Sequence, residues 1–130
     1  MTGSGAGIGR AEALLFAAQG ARDVVNDIAI PDGTPLASLV VEQIRAAGGD
    51  AVANTDDVSE FQGAERLVKT ALDAFGGVDI LVNNAGIIAL GNICDTTLES
   101  WRLVNSVNSD GVFLGCKHAI PAMTKSGGGS

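Results

Sequence analysis

Glycines at positions 3, 5, 7 and 9 crowd the turn Thr2-Gly3-Ser4-Gly5-Ala6-Gly7-Ile8-Gly9, which runs straight into Arg10-Ala11-Glu12-Ala13-Leu14-Leu15-Phe16-Ala17-Ala18-Gln19. The second stretch reads as a helix. Ile8, Ala11, Leu15 and Ala18 share one face, and Gly20 stands where a left-handed cap belongs. A glycine turn that opens a helix makes an anion site. Its backbone N–H groups point outward, the helix start carries partial positive charge, and absent Cβ atoms let a pyrophosphate approach. The spacing is Thr-Gly-x-x-x-Gly-x-Gly; Gly-x-Gly-x-x-Gly would need glycine at Ile8 or Arg10. A glycine run this near Met1 also suits a flexible tag remnant, so the remaining chain has to discriminate.

Length and composition narrow the classes. A chain of 130 residues makes one domain at most. A hydrophobic share of 46% argues for a packed core over disorder. The net charge of −7 leaves no electrostatic footprint for nucleic acid or an anionic membrane. Cys94 and Cys116 are too few for a disulfide framework or a zinc site, and both read as free thiols in a reducing compartment; no metal is expected. No apolar run reaches membrane-span length and no signal peptide is evident, so the expected setting is soluble and cytoplasmic.

Strands and helices alternate along the chain. Val24-Val25 reads as a short buried strand ending at Asp27, although Asp23 is a charge where a parallel strand wants Val or Ile. Asp27 follows the glycine turn at about the 20-residue spacing at which an acidic residue takes the adenosine ribose in a βαβ unit. A solvated turn aspartate is the competing reading. Ile28 to Pro35 is a loop, and Leu36, Leu39, Val40, Ile44 and Ala47 mark the next helix. Ala51-Val52-Ala53 reads as the second strand. Ser59 can cap a helix whose stripe is Phe61, Ala64, Val68, Ala71, Leu72 and Phe75. Val78-Asp79-Ile80-Leu81-Val82 carries the strongest strand signal and ends in Asn83-Asn84-Ala85-Gly86. Leu98 to Met123 reads as a long helix, or two in line. Asn105, Ser106, Asn108, Ser109 and Gly111 are poor mid-helix residues and predict a distortion near Asn108. Alternation of this kind implies a parallel sheet with helices on both faces.

Four motifs in this order resemble the short-chain dehydrogenase/reductase family: Thr-Gly-x-x-x-Gly-x-Gly at Thr2 to Gly9, Asp57-Val58, Asn83-Asn84-Ala85-Gly86, and the helix from Trp101 through Phe113. The resemblance implies an α/β fold with a Rossmann-like doubly wound parallel sheet, residues 1–130 forming part of a dinucleotide-binding domain. It implies that Gly3, Gly7 and Gly9 hold the cofactor loop, with Ser4 and Ile8 touching the pyrophosphate. Asp27 takes the adenosine ribose, Asp57 and Val58 flank adenine, and Asn84, Ala85 and Gly86 lie along the nicotinamide-side ribose. Asn108 matches the catalytic asparagine that holds a water of the proton relay; Asn105 is its nearby decoy. A carboxylate at Asp27 followed by Ile28 favours NAD over NADP, because it accepts ribose hydroxyls and repels a 2′-phosphate. The stretch from Asp27 to Gly86 also resembles dehydrogenase modules that act on hydroxyacyl-CoA thioesters.

One part of the pattern is absent. Family chemistry uses a Tyr-x-x-x-Lys pair with a serine, and this chain has no tyrosine. It ends at Gly127-Gly128-Gly129-Ser130, like the turn before the strand that leads to the catalytic serine, and it starts at the glycine turn. The expectation is therefore an incomplete sheet, lacking the first strand and the C-terminal half. The expected function is a piece of an NAD-dependent oxidoreductase acting on a small alcohol or ketone and homo-oligomeric when full length. The alternative is a non-catalytic dinucleotide-binding or regulatory module. Against that, a selected module should keep its central strand.

Overall fold

The computed structural model describes residues 1–130. Helix α1 (Gly7–Ala18) leads to strand β1 (Arg22–Asn26), α2 (Leu36–Ala46) to β2 (Asp50–Asn54), and α3 (Phe61–Phe75) to an extended loop region; α4 (Leu98–Asn105) and α5 (Gly111–Ser126) follow. β1 and β2 pair in parallel, from Arg22 beside Asp50 to Asn26 beside Asn54. The alternation of side chains along β1 sends its two valines to opposite faces. Val25 packs with Ala13, Ala17, Val40 and Ile44 of α1 and α2, while Val24 meets Val58 and Leu67 on the α3 side. Helices thus cover both faces of the strand pair. No helix is long and apolar enough to cross a membrane.

Backbone hydrogen bonds extend this order beyond the two strands. Met1 N donates to Val24 O and Asn26 N donates to Met1 O, the bracketing pattern of a parallel pair. Thr2 N donates to Val82 O. On the far side, Ser130 N donates to Asp79 O and Leu81 N donates to Ser130 O. The lateral order is β2, β1, Met1–Thr2, residues 78–82, Ser130. That is the order of a doubly wound sheet with its centre held by two residues.

Residues 78–82, the strongest strand in the sequence, form no strand ladder. Apolar β-branched residues supply the propensity, but a ladder needs continuous partners, and this segment has Thr2 on one side and Ser130 on the other. Between it and β1 lies a cleft of about 300 Å³, lined by Val24, Leu67, Val68, Ala71, Phe75 and Val78 among others. Asp23 sits beside this cleft, 8% exposed, with the Met1 ammonium 3.6 Å from Oδ1. That contact meets one oxygen of the carboxylate, while Oδ2 is buried without a hydrogen-bond partner. Burial pushes the ammonium below its ordinary value of 8.0, with Asp23 pulling the other way.

Two expected helix faces are shifted. In α1 the buried residues are Gly9, Ala13 and Ala17, whereas Ile8 is 73% exposed and Ala11, Leu15 and Ala18 are exposed too. The helix lies close to the strands, and a row of small residues fits that approach better than the bulkier row beside it. In α3 the buried residues are Gly63, Ala64, Leu67 and Val68, leaving Phe61 and Leu72 exposed. Gly63 sets that rotation, because a Cβ there would collide with the Asp57 carbonyl oxygen. Ser59 is not the cap of α3. Glu60 is, and the Ser59 hydroxyl and N–H both donate to Asp57 Oδ1.

Candidate functional site

The glycine turn is built by close approaches. Gly3 and Gly7 adopt φ of +59° and +56°, which L side chains rarely accept. A Cβ at Gly3 would lie 2.7 Å from Ala85 Cα, and one at Gly9 would lie 2.5 Å from Gly3 O. Arg10 N is the first amide bonded back along α1, to Ala6 O. The amides of Gly7, Ile8 and Gly9 therefore have no intrahelical acceptor. No side chain caps this end and no acidic residue stands in the first turn. Outward N–H groups at a helix start, beside glycines without Cβ atoms, are chemistry suited to an anion.

Thr2 and Asn84 join this turn to the Asn-Asn-Ala-Gly segment. Thr2 Oγ1 accepts from the N–H groups of Asn84 and Ala85, both at 3.0 Å. Asn84 Nδ2 donates back to Thr2 O at 3.0 Å and Gly3 O at 2.9 Å. The Asn84 amide group is thus engaged with the loop backbone, and Ala85 and Gly86 continue along the rim. Thr2 has no role in the sequence reading beyond its place in the motif. Its near-complete burial, 3% exposed, marks it as the hinge pin of the junction.

Ser4 lies differently from its expected place at the pyrophosphate. It is fully buried; its N–H donates to Asn26 O, and its hydroxyl bonds Met1 O, Asn26 O and Asn26 N. The carbonyl is the polar atom left to it, so Ser4 holds the loop to β1. Ile8 projects outward at the start of α1, and its backbone N–H is among those with no acceptor inside the helix.

At the C-terminal end of β1, Asp27 Oδ2 accepts from Gly5 N–H and Oδ1 from Ala29 N–H, each at 2.9 Å. Its carboxylate lies directly against the glycine turn. Asn26, 2% exposed, donates through Nδ2 to Asn54 Oδ1 and Asp56 O. Asn54 in turn reaches Asp56 and Thr70, and Arg66 grips Asp56 at 2.6 Å. This polar chain ties the ends of both strands to α3. Sequence reasoning missed it, although an asparagine closing each of two valine- and alanine-rich strands is the available signal. Asp57 is exposed and organises the turn to α3, while Val58 is 7% exposed and packs into the core. The Val58 side chain thus packs against Val24 and Leu67, beneath the turn that Asp57 organises.

Asn108 sits where the helix is widened. Residues Ser106–Asp110 form one turn of i→i−5 bonding, with Gly111 N donating to Ser106 O. The expected distortion is there. Asn108 Oδ1 accepts from Ile87 N–H and Nδ2 donates to Ile87 O, both at 2.9 Å. Asn105 spends its Nδ2 on Trp101 O, one turn back in its own helix. Of the two asparagines, Asn108 is the one turned to the site.

A sequence model of the short chain dehydrogenase family matches residues 1–130. The peroxisomal multifunctional enzyme type 2 of Drosophila melanogaster is 47% identical over 96% of this chain and 21% of its own length. A 2,5-dichloro-2,5-cyclohexadiene-1,4-diol dehydrogenase of Sphingobium indicum is 41% identical over the whole chain and 50% of its own length. The crystal structure of a short chain dehydrogenase from Mycobacterium avium superposes with a TM-score of 0.90 at 46% identity, covering 98% of this chain and 48% of that one. The chain thus spans half or less of these relatives. The glycine turn, the strand order and the widened helix agree with these matches in fold and in sequence together: the chain belongs to the short-chain dehydrogenase/reductase family of oxidoreductases, with a Rossmann-like fold.

Proposed function

We propose that this chain supplies the cofactor half of an NAD-dependent oxidoreductase acting on an alcohol or ketone. The observation that carries it is the Asp27 carboxylate, held against the glycine turn by Gly5 N–H and facing no cation. The residues fit a dinucleotide. Gly3 and Gly9 leave no room for a Cβ, and the amides of Gly7, Ile8 and Gly9 are free to hold a pyrophosphate. Asp27 would accept the adenosine ribose hydroxyls, with Asp57 and Val58 at the adenine edge and Asn84, Ala85 and Gly86 toward the nicotinamide side. When bound, NAD supplies the hydride acceptor.

Asn108 keeps the rim segment in place through Ile87 and, in this reading, also orients the water of the proton relay. The acid/base tyrosine and its lysine come from outside these 130 residues, so the chain alone turns over no substrate. Trp101, Leu103, Phe113 and Ile120 are exposed along α4 and α5, which supports a homo-oligomer of the full-length protein. The resemblance of the stretch from Asp27 to Gly86 to dehydrogenase modules that act on hydroxyacyl-CoA thioesters puts a hydroxyacyl thioester among the candidate alcohols.

The test is NAD reduction by the full-length polypeptide against a panel of secondary alcohols, hydroxyacyl-CoA thioesters included, with NADP in parallel. Turnover with NAD supports the reading. Turnover that prefers NADP in kcat/KM overturns the role of Asp27.

A further inference from the structure

Gly5 occupies a free position of Thr-Gly-x-x-x-Gly-x-Gly, yet its surroundings leave it no freedom. A Cβ there would stand 2.6 Å from Leu36 Cβ and 2.8 Å from both Cγ and Oδ2 of Asp27. Its φ is not positive, so the demand is for space and not for an unusual backbone. Leu36 opens α2, and its N–H is bonded to Ala29 O at 3.0 Å, so it is poorly placed to yield. The Asp27 carboxyl, on a side chain with two rotatable bonds, is the group that would move.

The arrangement of that carboxylate matters for what it can bind. An ionised carboxylate offers about four lone-pair sites. Gly5 N–H takes one on Oδ2 and Ala29 N–H takes one on Oδ1. One site on each oxygen remains, which matches two neighbouring hydroxyls. Both donors are neutral, so the negative charge is undiminished. The three ion pairs of the molecule join Met1 to Asp23, Arg66 to Asp56 and Lys69 to Asp73, and Arg10 reaches Gln43.

We infer that Gly5 is a specificity-determining residue: its missing side chain seats the Asp27 carboxylate against the turn, in the orientation that accepts the vicinal diol of an adenosine ribose and rejects a 2′-phosphate. The inference rests on the reading of Asp27 as the ribose acceptor.

Calorimetry with ADP-ribose and its 2′-phosphate, on the full-length polypeptide, separates the two claims. Wild type binds ADP-ribose more tightly. Gly5→Ala lowers ADP-ribose affinity by about tenfold or more and leaves the 2′-phosphate form within about threefold. In an Asp27→Ala background the same Gly5→Ala change no longer alters the ratio, because the two residues act as one unit. If Gly5→Ala does not fold, the Gly5→Ala/Leu36→Gly pair makes room on the Leu36 side and keeps the methyl against the carboxyl. A Gly5 variant that weakens both ligands alike, or neither, overturns the inference while the ribose reading stands. A wild type that binds the 2′-phosphate form as tightly overturns the ribose reading itself.

Discussion

Asn108 holds Ile87 through both ends of its carboxamide, accepting from the N–H and donating to the C=O at 2.9 Å each. The side chain thereby behaves toward the segment after Gly86 as a strand neighbour would. Widening the turn at Ser106–Asp110 is what aims it there, since an unbroken α-helix would carry position 108 round by a further fraction of a turn.

Replacing that clamp exposes its contribution. Asn108→Ala frees the Ile87 amide, and about 1 kcal/mol of lost local stability corresponds to roughly fivefold faster hydrogen exchange there. Asn108→Asp keeps an acceptor for the Ile87 N–H but cannot donate to the Ile87 carbonyl and faces it with like charge, so it falls between wild type and Asn108→Ala. Exchange measured at Ile87 in both variants checks this; equal rates in wild type and Asn108→Ala contradict the clamp.

Thr2 is the second point of leverage. Thr2→Val keeps the shape and leaves the amides of Asn84 and Ala85 without an acceptor, at about 1–3 kcal/mol for each group left unpaired. Thr2→Ser keeps the oxygen and should recover most of the loss. Thermal or denaturant unfolding of the full-length protein compares the pair. A Val variant as stable as the Ser variant would show that the hydroxyl is incidental.

Cofactor choice tests Asp27 directly. In the proposed reading Asp27→Ala removes a ribose acceptor and a repulsive charge together, so NAD binding is expected to weaken by about 1.5–3 kcal/mol and NADP by less. Paired dissociation constants for the two cofactors give the result, and equal losses would place Asp27 away from the 2′ position.

The cleft beside β1 predicts how the isolated chain responds to extension. By alternation, the peptide groups of Arg22 and the N–H of Val24 on one wall, and those of Val78 and Ile80 on the other, point into it, the Val24 carbonyl being taken by Met1 N. Joining an apolar segment of about five or six residues ahead of Met1, the usual strand length, supplies partners at about 0.5–1.5 kcal/mol per hydrogen bond. The melt should become sharper and hotter, with tighter NAD binding. The extension also replaces the buried ammonium by an amide. With its folded pKa below 8.0, the unfolded chain binds more protons between those two values, so the unextended chain gains stability as pH rises through that window and levels off above it. The extended chain loses this slope. A sharp, pH-independent melt of the unextended chain would refute the account of the cleft.

The amino-acid sequence by itself determined the alternation of helices and strands, the glycine turn, the acidic residue after β1 and the break at Asn108. Each is a local signal: periodicity, a residue type at a fixed distance, or a run of poor helix formers. Tertiary structure decided what depends on approach and on partners. It chose Gly9, Ala13 and Ala17 over Ile8 and Leu15 as the buried row of α1, because a helix lying close to the strands admits small side chains. It denied a ladder to residues 78–82, because hydrogen bonds belong to pairs of segments and not to propensity. It turned the Ser4 hydroxyl inward to β1 and gave Asn26 and Asn54 a shared polar chain. It also brought Gly5, a free position of the motif, against the Asp27 carboxylate, where a Cβ would collide.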